Sequence, residues 1–210
     1  MLENLPEVSN HIEASLVNAT VALSERLGKD SVEPPGGAIS ALVAAWAATL
    51  AGAAADRSRE GWSEAAGACA QARSLRARAL NLLERGALAH AHAMKALETR
   101  RQAGSEDVEG DEGRDWRLGE ALKDAAEPPL ELAACALDVA QLARTIASHA
   151  AGDVRGDAAV AAQLSAGAAR AAAHLVEINL VVGGDRQPAV RARALAEAAE
   201  VAAAHASTID

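Results

Sequence analysis

Apolar residues recur along most of the chain in steps of three and four, the rhythm of a helix that buries one face, and nowhere in the strict alternation of a half-buried strand. Ala72, Leu75, Ala79, Leu82, Gly86, Ala89, Ala93 and Ala96 keep this rhythm and predict one long helix over 62–99, lined by a seam of small residues. Gly86 falls in the seam, where a neighbouring backbone can come close. A second narrow stripe, Leu132, Cys135, Val139, Leu142 and Ile146, predicts helix over 116–149. That segment reads as a helical pair or as one helix bent at Pro128 and Pro129, because proline lacks a backbone donor and disfavours helix in the residue before it.

The remaining limits follow from proline, glycine and charge. Pro6 suits the first turn of a helix ending near Leu27, with Gly28 as its stop. A second helix is expected over 38–56, carrying Leu42, Trp46, Thr49 and Leu50. Between Gly104 and Asp115 the acidic cluster Glu106, Asp107, Glu109, Asp111 and Glu112 among glycines predicts a solvated loop. Residues 152–157, Gly-Asp-Val-Arg-Gly-Asp, predict another loop, followed by a helix over 157–182 that Gly183 and Gly184 end. Pro188 opens a last helix reaching about His205. The expected fold is all-α: a bundle of long, mostly antiparallel helices forming a single domain over residues 1–210.

Composition changes the picture in one respect. Alanine fills 57 of 210 positions, Phe and Tyr are absent and Trp occurs three times, so the core must be built from Ala, Leu and Val. Each small side chain buries little area, at roughly 25 cal/mol per Å², so burial of a helical face against a second copy, a homodimer, is expected. The net charge of -9 and the scarcity of aromatic residues speak against a nucleic-acid surface, which needs a basic stripe and stacking rings. No run of about twenty uninterrupted apolar residues stands out and the N-terminus lacks signal-peptide character, so a cytoplasmic protein with no membrane partner is expected. Cys69 and Cys135 lack CxxC or CxxH spacing and read as reduced, buried residues. None of the six histidines suggests a metal site; His90 and His92, two apart on a helix, point in divergent directions. His149 near a helix C-terminus suits the helix dipole and lies within reach of Asp153 or Asp157.

The stretch 34–42, Pro-Pro-Gly-Gly-Ala-Ile-Ser-Ala-Leu, places rigid and then permissive backbone before an alanine-rich helix. Such a helix N-terminus suits an anion or carbonyl oxygen, although Gly36 and Gly37 also suit a plain tight turn. The segment resembles the Pro-Gly-Gly-Gly-Ser-Val-Ala-Ala-Leu signature of the cyclodeaminase and methenyltetrahydrofolate cyclohydrolase family, which includes the cyclodeaminase half of formiminotransferase-cyclodeaminase. Glu127-Pro128-Pro129-Leu130 is similar to that family's Val-Pro-Leu, residues 157–162 (Asp-Ala-Ala-Val-Ala-Ala) to its Ser-Asp-x-x-Val-Ala-Ala, and Ile178-Asn179-Leu180 to its Ile-Asn-Leu.

The resemblance implies an enzyme of folate one-carbon metabolism. Such an enzyme opens methenyltetrahydrofolate by hydrolysis or closes formiminotetrahydrofolate with release of ammonia. Its substrate would be a tetrahydrofolate derivative, with no permanently bound cofactor. Asp157 and Glu84 would be the catalytic carboxylates, and Gly36, Gly37, Ser40, Ser58 and Asn179 the substrate-binding positions. Asp157 also suits a helix N-cap. Departures accompany the matches: Glu84-Arg85-Gly86 replaces an Asp-x-Asp pair, Ala38 stands for a serine, Leu175 for an asparagine, and Arg59 for an aromatic residue beside Ser58. These losses define the alternative, a catalytically degenerate helical dimer that binds a ligand or plays a structural part. Asp157 and Asn179 lie about 33 Å apart along a continuous helix, so a shared site would need a second subunit, unless Asn179 serves the packing of helices.

Overall fold

A computed structural model describes residues 5–28, 35–102, 108–150, 152–181 and 185–208. Among them the helices are α1 (Leu5–Gly28), α2 (Pro35–Arg57), α3 (Ala65–Gln102), α4 (Val108–His149), α5 (Gly152–Asn179) and α6 (Gln187–Ala206), and no strand occurs. The all-α expectation holds. The chain divides into two compact units, Met1–Pro35 and Gly36–Asp210.

In the first unit, α1 leaves Leu16, Val17 and Val21 exposed and carries Arg26 in its last turn, where a cation suits the helix dipole.

The second unit is assembled from alanine. In α2, Ala41, Ala44, Ala45, Ala47, Ala48, Ala51, Ala54 and Ala55 are all buried. These side chains are short enough for helices to pack backbone against backbone. α2 comes close to α3 at Gly52, where an added methyl would sit 3.1 Å from the Ala72 Cβ. α4 packs against α3, α5 and α6, and α5 against α6. The two predicted stripes lie inside: Ala72, Leu75, Ala79, Leu82 and Ala93 of α3 are buried, as are Leu132, Cys135, Val139, Leu142 and Ile146 of α4. Ion pairs brace the rims, with Arg78 on Asp138 at 3.0 Å, Arg85 gripping both oxygens of Glu131 at 2.7 Å, and Arg170 on Glu200 at 2.8 Å. Arg85 holds the Glu131 carboxyl below the usual value. Burial pushes the Cys135 thiol up to about 11, so it remains a protonated packing residue, as expected of both free cysteines.

Four expectations are corrected. Residues 108–115 belong to α4 instead of a loop. Residues 103–107 of that acidic stretch lie outside the described residues, as do Gly183 and Gly184. Residues 152–157 are also helical, because no described glycine needs positive φ and Gly152 and Gly156 fit an ordinary turn. Asp157 is therefore inside α5 and cannot be its N-cap. Finally, α2 from Gly36 to Arg57, of mean hydropathy 1.8, is by length and composition apolar enough to cross a membrane. Ser40 and Thr49 interrupt the run, so a search for an uninterrupted apolar stretch passes over it. In the fold, half of its apolar window is buried against the bundle.

α4 runs unbroken through Pro128 and Pro129. Neither proline can donate to the carbonyl four residues earlier, so the oxygens of Asp124 and Ala125 lose their helical partners. Asn179, at the end of α5, donates its Nδ2 to the Ala125 oxygen at 2.7 Å. A side chain 54 residues downstream thus supplies the donor that Pro129 withholds.

Candidate functional site

The candidate residues fall at two ends of the α2–α5 pair. At one end, α2 begins over α5: methyl groups at Gly36 and Gly37 would meet the Leu175 side chain at 4.0 and 3.8 Å. Asn179 lies one turn beyond Leu175. At the other end, the guanidinium of Arg57, the last residue of α2, donates to the Asp157 carboxylate. The helices run antiparallel, so Gly36 and Arg57 are about 32 Å apart along α2, and Asp157 and Asn179 about 33 Å along α5.

Glu84 sits with the first group. Its neighbours on α3 place it level with the prolines of α4, since Arg85 grips Glu131 and a methyl at Gly86 would meet Pro128 at 3.8 Å. Antiparallel packing with Asn179 level with Ala125 puts Asp157 about 16 residues further along α4, roughly 24 Å away. Within one protomer the two candidate carboxylates therefore do not share a site.

The hydroxyl positions are occupied by local structure. Ser40 donates to the Gly36 carbonyl at 2.7 Å and Ser58 to the Ala54 carbonyl at 2.8 Å, and both side chains are buried. Each closes a hydrogen bond to the carbonyl four residues back. Asn179, likewise, is committed to Ala125. At the Gly36 end, polar side chains serve the helices.

The Arg57 end presents chemistry outward. After α2 the chain turns through Ser58–Gly61, and the Trp62 ring stacks on His149, the last residue of α4, with centroids 4.9 Å apart and planes 10° from parallel. His149 Nδ1 lies 2.8 Å from the Thr145 carbonyl. A carbonyl only accepts, so in the neutral ring this nitrogen carries the hydrogen and Nε2 holds the free lone pair. The α2–α3 turn and the α4–α5 junction are thus tied together twice, by the ion pair and by the ring stack, with a carboxylate and an imidazole both exposed. Arg57 and Trp62 were not singled out from the sequence, and His149 was weighed as a dipole partner or a neighbour of Asp153 or Asp157, not as a ring stacked on Trp62. The available signal was the Asp56-Arg57 pair closing an otherwise uncharged helix.

Beside this end, a cavity of about 240 Å³ opens between α2 and α3, lined by Thr49, Asp56, Cys69, Arg73 and Arg76 among alanines and Gly52. Asp56 is held by Arg59 at 2.6 Å. Among the described residues, no three His, Cys, Asp or Glu side chains converge as a metal site would require.

The long helices, packed in part antiparallel, define a small all-helical domain with the Arg57–Asp157 pair and the Trp62–His149 stack at one end. A sequence profile of the family described as formiminotransferase-cyclodeaminase matches residues 20–204, and the chain belongs to that family. Its fold is similar to the crystal structure of formiminotetrahydrofolate cyclodeaminase from Thermotoga maritima, with a TM-score of 0.70 and 22% identity over 88% of this chain and 89% of that one. No curated protein sequence matches the chain.

Proposed function

We propose that the protein acts on a tetrahydrofolate derivative, as a methenyltetrahydrofolate cyclohydrolase or a formiminotetrahydrofolate cyclodeaminase. It would work as a cytoplasmic homodimer of single-domain chains, with the folate as substrate and no permanently bound cofactor, and without a nucleic-acid or membrane partner. Family membership supports the substrate class. The single structural observation that carries the chemistry is the Arg57–Asp157 pair beside the Trp62–His149 stack.

Both reactions move a proton at a carbon bridging two nitrogens. Hydrolysis needs a base for the attacking water and an acid for the leaving nitrogen; cyclisation needs an acid for departing ammonia. Arg57 fixes the Asp157 carboxylate by a charge-assisted hydrogen bond. His149, oriented by Thr145 and by Trp62, offers Nε2 as the second proton carrier. Glu84 and the glycines Gly36 and Gly37 enter the same site only through a second subunit. Ser40, Ser58 and Asn179 support it by holding their helices.

The test follows the absorbance of methenyltetrahydrofolate mixed with the purified protein, and ammonia release from formiminotetrahydrofolate. Loss of the methenyl band, or release of ammonia, at a rate set by enzyme concentration is the expected result. Neither reaction above the uncatalysed background would overturn the proposal and leave the degenerate ligand-binding dimer.

A further inference from the structure

Arg57, Arg78, Arg85, Arg170 and Arg193 each rest on a carboxylate of another helix. Arg73 and Arg76 do not. Nearly one turn apart on α3 and both exposed, they hold no hydrogen bond or ion pair among the described residues, and both line the cavity between α2 and α3. The other polar groups of its wall are committed. Asp56 is met by Arg59 at 2.6 Å, Cys69 Sγ lies 3.5 Å from the Gly52 carbonyl, and Thr49 donates its hydroxyl to the Ala45 carbonyl at 2.9 Å, which leaves its oxygen as an acceptor. α2 and α3 run antiparallel here, with Gly52 opposite Ala72 and Asp56 beside Cys69, so Arg73 and Arg76 lie level with Gly52 and Thr49. The cavity is polarised lengthwise: a neutralised pair stands at the Asp56 end and two uncommitted cations at the other, about 10 Å along α2. A concavity with apolar walls and one sign of free charge concentrates its field on an ion of the opposite sign.

We propose that this cavity is a carboxylate site, in which Arg73 and Arg76 grip the anionic end of an extended ligand. The planar fork of a guanidinium matches the two oxygens of a carboxylate, and two forks at i and i+3 suit a dicarboxylate. Thr49 offers its oxygen to an amide N–H beside the acid, and Ala48, Gly52 and Ala72 offer an apolar wall to the connecting group. At about 240 Å³ the cavity is smaller than the roughly 300–1,000 Å³ that enclose a whole drug-sized ligand, so it suits one end of a molecule. An acylated amino dicarboxylate has this chemistry, and so does the glutamate arm of a tetrahydrofolate derivative. The cavity starts at Asp56, beside Arg57, and Thr49 lies about 12 Å from Arg57 along α2. The arm would therefore leave the Arg57–Asp157 pair and end on Arg73 and Arg76. The carboxylate site stands on the cavity and its two unpaired arginines; its use for the substrate's glutamate arm rests on the folate reading.

Isothermal titration of the full-length protein tests the site without any activity assay. The probes are N-(4-aminobenzoyl)-L-glutamate, its uncharged dimethyl ester, and glutarate as a free dicarboxylate. The acid should bind and the ester should not. Arg73→Gln and Arg76→Gln should each weaken binding of the acid about tenfold, the loss of one charge-assisted hydrogen bond. Arg191→Gln, at an exposed arginine of α6, should leave it unchanged. Because Arg73 and Arg76 are exposed and unpaired, helical dichroism should be retained in both variants. Glutarate that binds as tightly as the benzoyl compound, with the same dependence on Arg73 and Arg76, upholds the carboxylate site and assigns it to a free dicarboxylate in place of the folate arm. No binding of either acid, an ester that binds as tightly as the acid, or affinity that Arg73→Gln and Arg76→Gln leave intact or that Arg191→Gln lowers equally would each overturn the proposal. A chain that binds the benzoyl compound through both arginines but turns over no folate upholds the site and removes only the folate reading.

Discussion

The two ends of α2 spend their polar residues differently. At the Gly36 end, Ser40 and Asn179 both satisfy backbone carbonyls, one within α2 and one on α4. At the Arg57 end, Asp157 and His149 are exposed and held from behind, by Arg57 and by Thr145 with Trp62. A polar group whose hydrogen bonds are completed inside the fold contributes to stability. One oriented by a partner but open to solvent is available for reaction. The contrast separates positions that a motif match alone would pool as one site.

The largest expected effect lies at the open end. Asp157→Asn should lower folate turnover by about 100-fold or more, the usual contribution of a positioned acid or base. Its exposed ion pair contributes at most about 1 kcal/mol, so the melting temperature should move by only a few degrees. Calorimetry beside the kinetic assay checks both halves; unchanged turnover would remove Asp157 from the mechanism.

At the closed end the balance reverses. Asn179→Leu strands the Ala125 carbonyl opposite Pro129, at a cost of about 1–3 kcal/mol, seen as a lower midpoint in urea. If the midpoint does not change, the Asn179 bond is not what carries α4 through its prolines.

Between the ends, the Arg85–Glu131 pair gives a pH signature. Because Glu131 titrates below its ordinary 4.5 in the folded chain, its contribution is fully present above the unfolded value. It is lost as pH falls through the lower folded one. Both side chains are nearly half exposed, which limits the contribution to about 1 kcal/mol. Glu131→Gln should therefore flatten the acid limb of a stability–pH curve and leave thermal stability near pH 8 within that margin. An unchanged acid limb would contradict the pairing.

The smallest effect is expected at Gly86→Asp, which restores the lost carboxylate of the family's pair. Its Cβ would make ordinary contact with Pro128 at a half-buried position, and Asp is a better helix residue than Gly. The melting temperature should hold within a few degrees; a large drop would show that the position is packed shut.

The elements of this fold are legible in the sequence because their cause is local. Alternating steps of three and four locate the buried faces of α3 and α4, and Pro188 marks the start of α6. What is not legible depends on distant partners. The continuity of α4 through Pro128-Pro129 is repaired from Asn179, and no local rule anticipates a donor 54 positions away. The helical state of residues 152–157 shows the opposite error, since glycine permits a loop without requiring one. For the site, Asp157, Gly36 and Asn179 were each visible as motif positions. Their separation, and the partnership of Asp157 with Arg57 and of His149 with Trp62, came only with the antiparallel packing of α2 on α5.

The division of labour between the two ends is tested most directly by one kinetic comparison. Wild type, Asp157→Asn and Asn179→Leu are assayed side by side for loss of methenyltetrahydrofolate absorbance, at a temperature where dichroism shows all three folded. Asn179→Leu should retain turnover within about threefold of wild type while Asp157→Asn falls by about 100-fold. The reverse order, with Asn179→Leu inactive and Asp157→Asn active, would contradict the account.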